Sequence, residues 1–183
     1  MKMILASKSP RRYEILKNLG YNFTVKVADV DENCESNIPK DFVKELAFKK
    51  ANAVAKTVDN DCVVIGCDTV VAIDNKILGK PIDKNDAEKM LKMLSGNKHS
   101  VYSGLCVIKG EKVFVDYCKT DVYFDTLSQN DIDAYLAEKE FEDKAGSYAI
   151  QGKAGVFVNR IDGEYFNVVG LPINLLHNML KEI

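Results

Sequence analysis

Apolar residues recur along this chain in two rhythms, and the changes between them mark its elements. The run 3-MILA-6 is short and wholly apolar, as a buried strand requires, and Ser9-Pro10 after it supplies an N-cap residue and a proline at the first helical position. Gly20 ends that helix, and 23-FTVKVA-28 alternates with the two-residue period of a strand. Phe42, Val43, Leu46, Ala47, Ala51, Val54 and Val58 then recur at helical spacing. They predict a long amphipathic helix from about Pro39 to Val58, with Lys50 near the edge of its apolar stripe.

The stretch 62-CVVIGCDTVVAI-73 is dense in β-branched residues and reads as a central strand, turned back at Asp74-Asn75. The segment 79-GKPID-83 breaks the chain before a helix that ends at Ser95-Gly96. Two strand-like runs, 99-HSVYSGLCVI-108 and 113-VFVDYCKTDVYF-124, flank a turn at Lys109-Gly110 and form a long hairpin. Ser128 and Asp131 open a further helix as a capping pair. A glycine-punctuated loop, 144-KAGSYAIQGKAG-155, leads to a hairpin turning at Asp162-Gly163 and a last helix from about Pro172 to Lys181. Helices interleaved with strands, without a strict βαβ repeat, predict an α/β fold in which helices flank a mixed, elongated, twisted sheet.

At 183 residues the chain has the length of one domain with a proper core, or of two small lobes sharing one. Residues 1–183 are therefore expected to be a single domain. The net charge of −2 means that a site for an anion must be a local cluster of cations, and it argues against a general nucleic-acid binder. No apolar run approaches the roughly 20 residues that span a bilayer, and Met1 to Ala6 is too short for a signal-peptide core. The expectation is a cytoplasmic protein without a membrane partner. Five cysteines without a C-x-x-C pair, and two separated histidines, His99 and His177, give no basis for a zinc site, a disulfide framework or a Ser-His-Asp triad.

The candidate chemistry begins at 7-SKSPRR-12. A strand that ends in a polar loop opening a helix gathers free backbone N–H groups and the positive end of the helix dipole at one point, which suits phosphate. Ser7, Ser9, Arg11 and Arg12 add hydroxyl and guanidinium donors there. On pattern alone, a serine cap followed by two solvated arginines accounts for the same residues. Asp68 interrupts an apolar strand run, so it must be paired, bound to a metal or at the rim of a cleft. The acidic loop with Asp29, Asp31 and Glu32 offers hard oxygen ligands for a magnesium-type ion, and Lys50 and Lys80 offer phosphate partners. Together these groups are what hydrolysis of a polyphosphate requires. No Walker-type loop is present.

Taken in order, S-K-S-P-R-R at 7–12, Asp31-Glu32, Lys50-Ala51, G-C-D-T-V at 66–70, G-K-P at 79–81, A-G-S-Y-A-I-Q-G at 145–152 and G-L-P at 170–172 resemble the Maf family of nucleoside triphosphate pyrophosphatases, once named septum formation inhibitors. The resemblance implies a two-lobed fold around a cleft, related to the inosine triphosphatases. It also implies a homodimer, a divalent ion such as Mg²⁺ or Mn²⁺, and cleavage of a nucleoside triphosphate between its α and β phosphates. Carried over by position, Asp68 matches the proton acceptor, and Glu32 a second acidic group that joins Asp68 in binding metal. Lys50 and Lys80 match phosphate-binding lysines, and Ser7, Ser9 and Arg12 the anion loop. Arg11, Thr69 and Gln151 match the branch acting on dTTP and UTP rather than the one acting on 7-methyl-GTP. A glutamine amide both donates and accepts, as the O4 and N3–H edge of thymine or uracil asks. Two rival readings stand beside this one: a nucleotide-binding regulator of cell division without catalysis, and a 7-methyl-GTP or inosine triphosphate pyrophosphatase.

Overall fold

The computed structural model of the protein describes residues 2–183. Its strands are β1 (Met3–Leu5), β2 (Phe23–Val25), β3 (Val63–Ile73), β4 (Lys76–Leu78), β5 (Lys98–Lys109), β6 (Lys112–Phe124) and β7 (Val158–Asp162). Its helices are α1 (Pro10–Asn18), α2 (Pro39–Ala55), α3 (Lys84–Leu94), α4 (Gln129–Ala137), α5 (Tyr165–Val169) and α6 (Ile173–Lys181). The strands hydrogen-bond into a mixed sheet in the order β2-β1-β3-β5-β6-β7, with β4 paired to β3 off that path. The predicted α/β class with a mixed, helix-flanked sheet is what the chain forms. By contacts the chain divides into two compact units: Met1–Thr69 with Ser103–Cys118 and Gly170–Ile183, and Val70–Tyr102 with Lys119–Val169.

In the first unit β1 runs parallel to both its neighbours, Leu5 lying opposite Val25 on one side and Ile65 on the other. Ala47, Ala51 and Val54 of α2 bury their side chains against Ile4, Ala6, Val64, Cys106 and Ile108. Two glycines set how close that helix lies to the strands. A Cβ at Gly66 in β3 would run into the Ala47 carbonyl and Ala51, and one at Gly104 in β5 into the Val43 carbonyl and the Lys44 nitrogen. The obstacles are mainly helix backbone, so they cannot swing aside as a side chain would.

The second unit has its own core, in which Leu91 and Leu94 of α3 and Ile132 and Leu136 of α4 pack with Val71, Val101, Val122 and Phe124. The Ser128–Asp131 capping box opens α4 as expected, with both reciprocal bonds present. Asp74 and Asn75 turn the chain with φ of 49° and 63°, and the short strand β4 returns along Val71–Ile73.

The hairpin expected at Asp162-Gly163 is not there. Strand β7 pairs antiparallel with β6, Gly163 takes φ 128°, and α5 follows instead of a second strand. The sequence 165-YFNVV-169 has strand-like composition, but side-chain contacts override it. The buried Asn167 amide donates to the Val101 carbonyl and to Thr120 Oγ1, and Thr120 Oγ1 also donates to the Glu164 carbonyl and accepts from the Glu164 N–H.

At the centre of the second unit His99 is 1% exposed, its Nε2 lies 2.8 Å from the Tyr148 hydroxyl, and both rings meet Phe124 edge-on. Burial lowers the His99 pKa to about 4, a loss of basicity that nearby Asp121 only partly offsets. An unfolded histidine titrates near 6.5, so between those values the unfolded chain binds the extra proton and stability is lost as pH falls from about 6.5 toward 4.

Two outcomes follow. Gly104→Ala should lower unfolding stability by at least about 1–3 kcal/mol, read from the urea midpoint at constant m; an unchanged midpoint would mean that α2 shifts freely. Between pH 7 and pH 5 the protein should lose about 2 kcal/mol through His99, and His99→Phe should flatten that slope while lowering stability at pH 7, because the Tyr148 hydroxyl loses its partner. A variant with the wild-type slope would assign the acid sensitivity to other groups.

Candidate active site

The candidate side chains of the first unit lie beyond the carboxyl end of β1. The strand stops at Leu5, with the Ala6 N–H still donating to the Ile65 carbonyl, so β3 runs on past its neighbour. Crevices outside the carboxyl ends of parallel strands are where α/β folds bind ligands.

Arg12, on the first turn of α1, is 9% exposed, and its guanidinium is tied down at three points. Nε donates to the Gly170 carbonyl at 2.8 Å, Nη1 to Ser7 Oγ at 2.9 Å and Nη2 to Thr69 Oγ1 at 3.0 Å. These bonds use three of its five N–H groups. Among the described residues no carboxylate pairs with Arg12, so this buried cation is matched only by neutral oxygens. Such a site favours an incoming anion.

Ser7 Oγ accepts from both Arg12 and the Ser9 N–H, which leaves its own proton to donate. Ser9 holds the N-cap position before Pro10, but its side chain makes no capping bond. The simple capping explanation of that serine therefore fails. Arg11 is half-buried on the same turn. Thr69 Oγ1 also lies 2.8 Å from Ser103 Oγ, a link that no sequence pattern signalled.

A second constellation joins α2, β3 and the acidic loop. Lys50 Nζ sits 2.6 Å from Asp68 Oδ1 and 2.9 Å from Glu32 Oε1. Burial disfavours the ammonium, but the Asp68 and Glu32 carboxylates outweigh it and hold the Lys50 pKa above its ordinary value. Of the three acidic loop residues only Glu32 reaches this cluster by a side-chain bond; Asp31 instead accepts from the Asn33 N–H in a local turn. Strand alternation puts Gly66 and Asp68 on the α2 side of β3, and Cys67 and Thr69 on the Arg12 side. Asp68 and Thr69, consecutive in β3, thus carry one contact of each group on neighbouring positions of the strand.

The site's chemistry fits a divalent ion. Two carboxylates from different elements already converge on one cationic centre, and carboxylate oxygens are the hard donors that Mg²⁺ and Mn²⁺ prefer. Asp59, Asp61 and Cys62 also bring one possible ligand atom each within 4.8 Å of one another, the two carboxylates exposed and the thiol buried. Cys67 donates to the Gly170 carbonyl, and burial raises its pKa, which makes it a core thiol rather than a nucleophile.

Lys80 and Gln151 belong to the second unit. Lys80 is exposed and pairs with Asp143 at 3.2 Å, a partner that carried no signal in the sequence. The Gly146 N–H donates to the Gly79 carbonyl, which ties the G-K-P segment to the A-G-S-Y turn. In that turn Gly146 and Ser147 both have φ of 66°, and Ser147 and Tyr148 are buried anchors. Gln151 projects from the following loop as an exposed residue.

Comparison with known proteins adds lineage to this geometry. The chain is 50% identical over 188 residues to a dTTP/UTP pyrophosphatase of Clostridium botulinum, covering 99% of this chain and 96% of that one. It is 47% identical over 182 residues to a protein of the same name from Bacillus anthracis, covering 99% and 95%. Among solved structures, the Ham1 protein of Staphylococcus aureus superposes with a TM-score of 0.59 at 15% identity, covering 100% of this chain and 99% of that one. A HAM1 protein from Coxiella burnetii gives 0.55 at 12%, covering both chains fully. These two establish a shared Ham1-type fold. The Maf-like protein family matches residues 2–183, and the chain belongs to that family.

Proposed function

We propose that the protein hydrolyses dTTP and UTP, and related modified pyrimidine nucleotides, to the nucleoside monophosphate and pyrophosphate. The observation that carries this reading is that adjacent residues of β3 hold two charged groups, Thr69 an Arg12 anchored at three points with no carboxylate partner among the described residues, and Asp68 the cluster with Lys50 and Glu32. The names of relatives at 47–50% identity support the substrate.

In this reading Arg12, the Ser7 hydroxyl and Lys50 neutralise the phosphates, and Ser9 and the α1 N-terminus lend further donors. Lys50 then leaves the carboxylates for the phosphate oxygens, and Asp68 is free to accept a proton from water. Water oxygen bonds to the α phosphorus, the bond from that phosphorus to the bridging oxygen breaks, and pyrophosphate departs with the electron pair. A divalent Mg²⁺ or Mn²⁺ ion held by Asp68 and Glu32 would supply charge neutralisation at the phosphates. Lys80 adds a phosphate contact, while Arg11, Thr69 and Gln151 read the base. The reading also takes residues 1–183 as one catalytic domain, working in the cytoplasm as a homodimer, in line with the family resemblance. No helix among the described residues is long and apolar enough to cross a membrane.

Purified protein given dTTP or UTP with Mg²⁺ should release pyrophosphate and leave the monophosphate, as resolved by ion-exchange chromatography. Orthophosphate and a diphosphate would mean that a different phosphorus is attacked. Asp68→Asn should keep its fold and lower kcat by about 10²–10⁴-fold, the range of general-base catalysis. Its apparent affinity for the nucleotide should change far less. Near-normal kcat in that variant would move the base to Glu32.

For the ion itself, Lys50→Met should bind Mn²⁺ more tightly than the wild type when no nucleotide is present, because an ammonium no longer competes for the two carboxylates. Mn²⁺ titration followed by electron paramagnetic resonance reads this directly. Equal affinity would remove Asp68 and Glu32 as the shared ligands.

A further inference from the structure

Gln151 sits on a loop with little regular structure, yet the chain on its carboxyl side is fixed with some care. The Gly152 N–H donates to the Ala149 carbonyl at 3.0 Å, closing a tight turn whose tip is Ile150-Gln151, and the Gly155 N–H donates in turn to the Gly152 carbonyl. The next residue is held from outside the loop. The Lys153 N–H donates to Glu140 Oε2 at 2.8 Å, and Lys153 Nζ pairs with Glu138 Oε1 at 2.6 Å. Both glutamates follow the last residue of α4, so a helix end grips the segment that carries Gln151.

Gly152 shows what the Glu140 contact demands. Its φ of −101° and ψ of −158° are open to any residue, so the backbone does not call for glycine. A Cβ built there would overlap Glu140 Oε2, so the carboxylate occupies the space that a side chain would take. A bond from a backbone N–H to a carboxylate is charge-assisted and stronger than a neutral one.

We propose that Glu140 is a positioning residue for base selection: its carboxylate, seated in the space left by Gly152, fixes the backbone beside Gln151 and so aims the glutamine amide. The proposal rests on the reading of Gln151 as the group that reads the base. Gln151 itself is exposed, so its direction is inherited from the backbone rather than from side-chain packing. Glu140 touches neither substrate nor reacting atoms in this scheme. It acts through the turn.

The test is steady-state kinetics of dTTP and dGTP for the wild type, Glu140→Ala, Glu140→Gln, Gly152→Ala, Gln151→Glu and the Glu140→Ala/Gln151→Glu double variant. Glu140→Ala removes the acceptor, and Gly152→Ala displaces it without straining the backbone. Each should lower the dTTP/dGTP ratio of kcat/KM by at least about fivefold, the scale of one lost hydrogen bond, mainly through KM for dTTP. Glu140→Gln keeps a carbonyl oxygen in place and should retain most of the ratio. The double variant should be no less selective than Gln151→Glu alone.

A ratio lowered by Gln151→Glu but untouched by Glu140→Ala and Gly152→Ala would overturn this proposal while leaving the role of Gln151 intact. Equal loss of kcat for both nucleotides would likewise overturn it, since that is what a merely structural contact predicts. A wild type with no preference for dTTP would overturn the base-reading role of Gln151 and this proposal with it.

Discussion

The close approach of helix α2 to the sheet is the constraint on which the first unit depends. Gly66 and Gly104 lie on adjacent strands and present no side chain to the helix, so its backbone rests almost directly on theirs. A helix held that near delivers Lys50 to Asp68 at 2.6 Å, and Asp68 is two residues along the same strand from Gly66. An alanine-sized spacer at either glycine would press on the α2 backbone and shift Lys50 with it. The glycines therefore act on chemistry as well as on packing, because they set the separation of the charged groups.

Two different ways of handling charge meet around β3. Lys50 is paired with two carboxylates, Asp68 and Glu32, whereas among the described residues Arg12 is bonded only to hydroxyl and carbonyl oxygens. Unpaired buried charge is costly, and neutral dipoles lower that cost without cancelling the charge. With two carboxylates to one ammonium the first cluster carries a net negative charge, and the second, built on Arg12 alone, a net positive one. An anion gains more from meeting Arg12, and a cation more from displacing Lys50.

Much of this was legible in the sequence because the responsible signals are local. Periodicity revealed α2 and β3, Ser128 and Asp131 revealed the start of α4, and a carboxylate inside an apolar run singled out Asp68. What escaped notice depends on partners distant in the chain. The Gly170 carbonyl that receives Arg12 lies 158 residues away, and a backbone oxygen leaves no mark on residue identity. Asp143 and Glu140 look like ordinary surface acids until the fold brings Lys80 and the Lys153 N–H to them. The segment 165-YFNVV-169 has strand-like composition yet forms α5 for the same reason, its Asn167 amide being bonded to Val101 and Thr120.

The three bonds to Arg12 also have an entropic meaning. A free arginine side chain has about 2 kcal/mol of rotamer entropy to lose when it is ordered. Here Ser7, Thr69 and Gly170 select the rotamer during folding, so the cost falls on the stability of the protein rather than on the affinity of its ligand. Lys80, two-thirds exposed on a flexible stem, has that ordering still ahead of it. Arg12 is therefore preorganised for an anion, whereas any ligand meeting Lys80 would have to order it first.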